Sequence, residues 1–251
     1  MPNFKTKLNA GVLYICNMKI TDLDLVALSD EYNNPKYFSD DPIKYPKYFY
    51  DNYMQGKSPL QDVEISAILC AHLAWGRREM IVRSCERLMD EMKWSPYNYV
   101  IGGNYRNDNS SLHRTVKWSE VAKICTNLRE FYLNNETLEV LSVQMIREDI
   151  FGRKEDPKAA NKKIHMFRRW MVRDDSKVDL GIWKRITPAD LIIPLDVHVH
   201  RNALALGITT RKSADIITAQ EITNYLKLIF PGDPCKGDFA LFAYSASKTK
   251  K

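Results

Sequence analysis

The spacing of apolar residues along the chain predicts helices almost throughout. The segment "DVEISAILCAHLAW" is apolar on nearly every side, as a buried helix is, and Asp62 stands at its start as a predicted N-cap. Apolar residues recur every three or four positions in "RREMIVRSCERLMDEMKW", which is typical of an amphipathic helix. The same spacing recurs in "SEVAKICTNLREFYL", "TLEVLSVQMIREDIF", "KKIHMFRRWMV", "SADIITAQEITNYLKLIF" and "DFALFAYSA". Because no segment alternates apolar and polar residues as a strand would, we expect an all-α fold.

Turn and capping residues predict three shorter elements. "SPYNYVIGG" places a serine and a proline before a helical stretch and two glycines after it. "TPADLII" begins with threonine and proline, which predicts another helix start. In "DVHVHRNALALG", Asp196 is a favoured N-cap residue and Gly207 is favoured just beyond a helix end. The last segment therefore predicts one short capped helix.

An acid and two histidines stand at alternate positions in this segment, namely Asp196, His198 and His200. On a strand the three side chains would share a face and could hold a metal ion. On the predicted helix the two histidines would lie about 200° apart and could not share one. A metal-dependent hydrolase is therefore kept only as an alternative. As an N-cap, Asp196 would be stabilised in its ionised form by the helix amides and dipole.

The cysteines and the size of the chain narrow the class of protein. With 251 residues the chain can form one large domain or two small ones around a shared cleft. Its five cysteines are scattered without a CxxC pair, which indicates a reducing compartment and excludes a cysteine-ligated zinc or iron–sulfur site. We expect them to fill the core. They are Cys16, Cys70, Cys85, Cys125 and Cys235.

Charge is divided unevenly along the chain. Residues 1–150 carry 18 Lys and Arg against 20 Asp and Glu, a balance of −2, whereas residues 151–251 carry 19 against 11, a balance of +8. Together these give the net charge of +6. A basic half is typical of a protein that binds a polyanion, although a solvated basic surface has the same composition.

The N-terminus and the apolar runs predict a cytoplasmic protein. The apolar run from Ala10 to Cys16 is short for a signal peptide, and no small-residue cleavage site follows it. No apolar run approaches the roughly 18 residues that a membrane span needs.

Several segments carry a resemblance to known families. "LIIPLDVHVHRNALALG" is similar to the segment of helix-hairpin-helix DNA glycosylases that holds their catalytic aspartate, which Asp196 matches. His198 and Arg201 match its neighbours, while Val197 replaces the usual threonine. Over roughly residues 20–245 the chain resembles DUF2400, a bacterial family of unknown function distantly related to those glycosylases. The segments that carry this second likeness are "DDPIKYPKYF", "DVEISAILCAHLAWGRREMI", "SPYNYVI", "LHRT" and "KKIHMFRRWMVRDDSKVDLGIWKRITPADLIIPLD".

The resemblance implies a fold and an activity. It implies a two-lobed all-α fold with an inter-lobe cleft, in which residues 61–185 form a central lobe and residues 1–60 and 186–251 form the second.

The implied activity is DNA base excision, with 8-oxoguanine-type damage as the first guess, together with strand cleavage through a lysine Schiff base. Lys162 is the implied nucleophile, with Lys163 as its rival, and Asp196 is the implied catalytic acid. The implied partner is damaged duplex DNA, with no cofactor, metal or membrane.

Two departures leave a non-catalytic nucleic-acid-binding protein of the same fold as the alternative. The glycine-rich hairpin that precedes the family's lysine is missing, since "DPKAAN" holds no glycine. The separation between Lys162 and Asp196 is 34 residues (196 − 162), longer than in endonuclease-III-like enzymes.

The likeness also implies residues that contact DNA, by wedging into the duplex or by binding phosphates. They are His72, Trp75, Arg77, Arg78, Arg168, Arg169 and Arg201.

Overall fold

The computed structural model describes residues 20–174 and 177–248, and these residues are mostly helical. The expectation about a signal peptide concerns the first 19 residues and lies outside this range. Within the range, no helix is both long and apolar enough to cross a membrane. The helices are α1 (Ile20–Tyr32), α2 (Lys44–Met54), α3 (Leu60–Leu73), α4 (Arg78–Glu91), α5 (Pro96–Gly102), α6 (Trp118–Tyr132), α7 (Lys162–Val172), α8 (Val197–Ala205), α9 (Ile216–Ile229) and α10 (Gly237–Lys248).

A small hairpin between α5 and α6 is the exception to the helical prediction. Strands β1 (Ser111–His113) and β2 (Val116–Lys117) pair antiparallel, and Arg114 turns the chain with φ of 52°. Strands of three and two residues are too short to show an alternating pattern. The sequence therefore predicted no strand here, and that prediction was wrong.

Two predicted helices are broken by capping side chains. "TLEVLSVQMIREDIF" forms a 3-10 turn (Leu138–Val140), a single α-turn (Val143–Met145) and a π-turn (Ile146–Ile150). The break occurs because Thr137 and Ser142 each accept a backbone N–H, which starts a new turn each time. "TPADLII" forms only the 3-10 turn Pro188–Asp190, after which the chain is extended.

The start of α3 also differs from the prediction. The helix begins at Leu60 after Pro59, so Asp62 lies in the first turn instead of at the N-cap. Its carboxylate accepts the backbone N–H of Tyr97 at 2.7 Å, which ties α3 to α5. The prediction that this helix is buried is confirmed, since every residue from Asp62 to Leu73 is buried.

The apolar core consists of two clusters. The larger one surrounds α3, against which α2, α5 and α7 pack. The smaller one is formed by α8, α9 and α10 together with Leu25 of α1. The division into lobes at residues 60 and 185 stays a prediction. Four cysteines of the described residues are free and buried, as expected: Cys70, Cys85, Cys125 and Cys235.

Four buried charged residues and the partly buried Asp233 link the end of α7 to the start of α10. Arg169 binds Asp179 at 3.3 Å and also contacts Asp238. Arg173 binds Asp179 at 2.5 Å and Asp233 at 2.7 Å. Because side chains in such surroundings are costly to leave unpaired, each carboxylate fixes the position of the arginine it meets.

We expect Asp179→Asn to lower the free energy of unfolding by about 3 kcal/mol or more, because it removes the charge shared by two buried guanidinium groups. Asp174→Asn is the matched control, since Asp174 pairs with Lys184 at the surface and should change stability by less than about 1 kcal/mol. Urea unfolding followed by circular dichroism measures both. Equal effects of the two substitutions would contradict a structural role for the buried network.

Candidate active site

Lys162 and Asp196, far apart in sequence, meet in the structure. Lys162 is the first residue of α7, and Asp196 is the N-cap residue of α8. The Lys162 Nζ lies 3.6 Å from Asp196 Oδ2 and donates a hydrogen bond to the Ala74 carbonyl oxygen at 3.2 Å. The two side chains are 28% and 24% exposed, so both are half-buried yet open to solvent on one side.

The cap geometry explains how Asp196 is held. Its Oδ1 accepts the backbone N–H groups of His198 at 2.8 Å and Val199 at 2.9 Å. The predicted capped helix is therefore confirmed at its start, and Gly207 takes the left-handed conformation beyond its end, with φ of 69°. Because Oδ1 accepts these two N–H groups of α8, Oδ2 is the oxygen that faces Lys162.

The residue before Lys162 sets the direction in which α7 begins. Asn161 has φ of 44° and ψ of 38°, a left-handed conformation that asparagine adopts more readily than most residues. Its Oδ1 accepts a hydrogen bond from Arg147 Nη1 at 2.8 Å. In the structure, residues 152–161 form a loop with no hairpin of the expected glycine-rich kind.

The Lys162–Asp196 pair lies in the wall of a cavity of about 750 Å³. This volume is in the range of small-molecule sites. Two further charged pairs line the same cavity, Asp41 with Arg78 and Arg169 with Asp238. Burial raises the pKa of Asp238 to about 6. Seven of the other lining residues are aromatic: Tyr32, Tyr37, Phe38, Trp75, Trp170, Phe239 and Phe242.

Asp41 was not among the predicted site residues. Its carboxylate lies 3.7 Å from Arg78 Nη2 and accepts the backbone N–H of Ile43 at 3.2 Å. Burial raises the pKa of this carboxyl group, although the Ile43 amide and Arg78 oppose the shift. The sequence gives no signal that separates Asp41 from its exposed neighbour Asp40, because both stand in one acidic turn.

Lys163, the rival of Lys162, lies outside the lining of the cavity. Its Nζ is 5.8 Å from the centre of the Trp75 ring, and Arg114 lies over the same ring at 4.4 Å. Burial lowers the pKa of Lys163 to about 8, and the charge of Arg153 adds to the effect. The adjacent lysines thus occupy different surroundings, one paired with an acid and the other desolvated.

Two of the predicted DNA contacts are buried. His72 is 1% exposed, its Nε2 lies 3.0 Å from Glu120 Oε1, and its ring stacks on Phe151. Arg169 is 6% exposed and belongs to the buried network. A side chain must reach the surface to enter a duplex or bind a phosphate. Both burials count against a direct contact with DNA in this conformation, and the expected role of the two residues stays a prediction.

The remaining predicted contacts lie nearer the surface. Arg77 and Arg78 are exposed at the start of α4, and Arg78 lines the cavity. Arg201 is exposed on α8, with its Nη2 3.2 Å from His198 Nδ1. Arg168 is half-buried and donates to the Leu141 carbonyl oxygen at 3.1 Å. Trp75 is half-buried and lines the cavity.

His113, in the "LHRT" segment that carries part of the resemblance, packs its ring against the Trp75 ring. Its Nε2 lies 2.8 Å from the Trp75 carbonyl oxygen, and its Nδ1 lies 3.0 Å from Ser84 Oγ. The segment therefore positions the residues between α3 and α4.

The residues of the metal hypothesis have separate partners. His200 Nε2 lies 2.8 Å from the Arg211 carbonyl oxygen, His198 contacts Arg201, and Asp196 contacts Lys162. In residues 20–174 and 177–248 there is no group of three or more histidine, cysteine or acidic residues that could hold a metal ion. The observed contacts therefore give no support to a metal-dependent hydrolase.

A family model described as "Protein of unknown function (DUF2400)" matches residues 41–156 and 144–247. Neither the curated proteins nor the solved structures contain a match to this chain.

We expect Lys163 to titrate with a midpoint near pH 8, because its surroundings lower the pKa of its amine to about 8. The carbon-13 chemical shift of its Cε, assigned with the Lys163→Arg variant, measures the midpoint. The same lysine in the urea-unfolded chain should titrate near its ordinary pKa of about 10.4. A folded-state midpoint equal to that of the unfolded chain would show that the amine is not desolvated.

Proposed function

Because the chain belongs to the DUF2400 family of proteins of unknown function, its activity has to be inferred from the site, and we propose a DNA base-excision glycosylase with strand-cleaving activity. In this proposal the fold is of the helix-hairpin-helix glycosylase type, and the cavity is the cleft between its lobes. Damaged duplex DNA is the substrate, and the protein acts in the cytoplasm.

The contact between Lys162 and Asp196 is the observation that carries the proposal. An amine and a carboxylate 3.6 Å apart line one aromatic cavity, although 34 residues separate them along the chain (196 − 162). A nucleophile beside a proton acceptor, both open to a cavity, is the arrangement that amine catalysis requires. A salt bridge that served only stability would not need to face a cavity.

The proposal gives each of the two groups a chemical role. The amine must be neutral to attack, and Asp196 Oδ2 is placed to take a proton from Lys162. A bond then forms from Lys162 Nζ to the sugar C1′ while the bond from C1′ to the base breaks. The base leaves with its electron pair and takes up the proton that Asp196 received, which restores the carboxylate. Opening of the sugar gives the Schiff base. The carboxylate stabilises the positive charge that develops on the sugar during this step.

The surroundings of the pair suit a base that has left the duplex. A base must be unstacked before its glycosidic bond can be reached, and aromatic side chains can replace the lost stacking. Trp75 and Phe242 line the cavity and provide such rings. Arg77, Arg78 and Arg201 are exposed cations available to phosphates.

The second candidate is a protein of the same fold that binds nucleic acid without catalysis. Two observations favour it. Residues 152–161 offer no glycine-rich hairpin to hold a phosphate, and the Lys162 amine already contacts two oxygen atoms. Both candidates predict DNA binding that weakens with salt, so affinity alone does not separate them.

Borohydride trapping separates the two candidates. We expect the wild-type protein to form a covalent adduct with an oligonucleotide that carries an abasic site, because a Schiff base is reduced to a stable amine. Lys162→Gln should abolish the adduct and Lys163→Gln should retain it. Loss of the adduct in Lys163→Gln alone would transfer the nucleophile to that residue. No adduct with any protein, while DNA is still bound, would favour the non-catalytic candidate.

The Asp196→Asn variant tests the proposed role of Asp196 as a proton acceptor separately from its role as the cap of α8. Asparagine caps a helix about as well as aspartate, so we expect the free energy of unfolding to change by less than about 1 kcal/mol. The rate of adduct formation should fall by about 100-fold or more, because the proton acceptor beside Lys162 is lost. Quenched-flow trapping measures the rate and thermal melting measures the stability. A full trapping rate in a stable variant would show that Asp196 is only a cap.

A further inference from the structure

Lys163 carries an amine that lies outside the lining of the cavity and has no polar partner. The residue is half-buried on α7, and its Nζ forms no hydrogen bond or ion pair within residues 20–174 and 177–248. The side chain contacts the Trp75 ring instead, with Nζ 5.8 Å from the ring centre. A half-buried amine with no acid beside it is less stable as a cation, which makes it available as a nucleophile.

Arg114 places a second cation without an acid at the same indole. Its guanidinium lies 4.4 Å from the centre of the Trp75 ring, and within the described part of the chain it forms no ion pair. A Cβ added at Gly76 would come within 2.6 Å of Arg114 Nη1, so the guanidinium lies against the backbone between α3 and α4. The two cations reach Trp75 from different elements, since Lys163 belongs to α7 and Arg114 to the turn of the hairpin.

A third cation approaches from the loop before α7. The positive charge of Arg153 acts on Lys163, and Arg153 Nη2 lies 3.8 Å from Glu120 Oε1. The same oxygen of Glu120 lies 3.0 Å from His72 Nε2. Burial lowers the pKa of His72, which favours the neutral ring. The cations of Arg114, Arg153 and Lys163 thus have one acid, Glu120, among them.

We propose that Lys163 is a carbamylation site, at which carbon dioxide adds reversibly to the amine and the product lies beside Arg114 and Arg153. The lone pair of Nζ forms a bond to the carbon of carbon dioxide while one C=O electron pair moves to oxygen. The nitrogen then loses one proton to water, which leaves a carbamate with one negative charge. Nothing is oxidised or reduced, and the step does not depend on the proposed glycosylase activity.

The charge of the product favours carbon dioxide over an acyl donor. A carbamate has two oxygens that accept charge-assisted hydrogen bonds from guanidinium groups. Acetylation would remove the charge of Lys163 and give a neutral amide, which would leave Arg114 without an anion. With the carbamate in place, two guanidinium groups, Arg114 and Arg153, would face two anions, Glu120 and the modified lysine.

The amine must be neutral to add to carbon dioxide, and its surroundings favour that form. Burial lowers the pKa of Lys163 to about 8. At about pH 7.4 roughly 20% of such an amine is neutral, against roughly 0.1% of an ordinary lysine. At a constant pressure of carbon dioxide, carbamylation should therefore rise as the pH is raised through about 8. The charged groups that act on Lys163 are Arg153, Glu120 and Lys162, and Lys163 in turn acts on His72 and His113.

Chemical trapping of the full chain under carbon dioxide tests this inference. A trialkyloxonium salt converts a carbamate into a stable ester, and mass spectrometry of peptides assigns the ester to one residue. Near neutral pH we expect about tenfold or more trapped carbamate on Lys163 than on an exposed lysine such as Lys117. An amount on Lys163 no greater than on exposed lysines would overturn the inference.

Arginine variants test whether the product lies where we place it. Arg114→Gln and Arg153→Gln should each lower the trapped carbamate on Lys163 about threefold or more, because each removes a cation beside the product. Arg106→Gln is the matched control, since its guanidinium lies over the Trp118 ring and pairs with Asp108, and it should leave the amount unchanged. Unchanged carbamylation in both Arg114→Gln and Arg153→Gln would overturn the assignment.

A carbamate on Lys163 would link carbon dioxide to the wall of the cavity. Trp75 lines the cavity beside Lys163, so the charge next to its ring would become negative. The test is separate from borohydride trapping because it involves neither Lys162 nor Asp196. A trapped carbamate without any borohydride adduct would keep the modification site and remove the lyase. A borohydride adduct without a carbamate would keep the lyase and remove the modification site.

Discussion

The buried network of arginine and aspartate residues at the end of α7 is the constraint on which the cavity depends. Arg169 and Arg173 bind Asp179, Asp233 and Asp238, so α7 and the start of α10 are fixed relative to each other. Both helices contribute to the cavity wall, α7 through Lys162 and α10 through Phe242. Buried ion pairs add little to the free energy of unfolding. They do specify geometry here, because an arrangement that left one of these charges buried without its partner would be strongly destabilised.

The cavity is assembled from residues that lie far apart along the chain. Three of its charged residues are held in place through the backbone around them. Asp196 is fixed because it caps α8, and Lys162 is fixed because it opens α7 directly after the left-handed Asn161. Asp41 is fixed by the Ile43 amide. Side chains anchored at helix starts keep their direction with little freedom to lose on binding a ligand, which favours both recognition and catalysis.

The sequence predicted the long helices, the buried α3 and the cap of α8, because apolar spacing and capping residues act locally. The helices that failed, at 137–151 and 187–193, were broken by side chains that compete for backbone amides. Lys162 and Asp196 entered the prediction only through a resemblance, since nothing local indicates that they meet. The sequence did not indicate Asp41 as a site residue or His72 as a buried one, because burial depends on distant contacts, including the one between His72 and Glu120.

The two oxygens of Asp196 serve different parts of the molecule, and this has a consequence for reading related chains. One oxygen satisfies the amides of α8, while the other faces Lys162. A chain without the proposed reaction would still need a cap at this position, so selection for folding alone would preserve the aspartate. The presence of the acid in a relative is therefore weak evidence of activity. Lys162 also serves the backbone, because its amine donates to the Ala74 carbonyl oxygen at the end of α3, so neither residue alone marks whether a relative keeps the proposed chemistry.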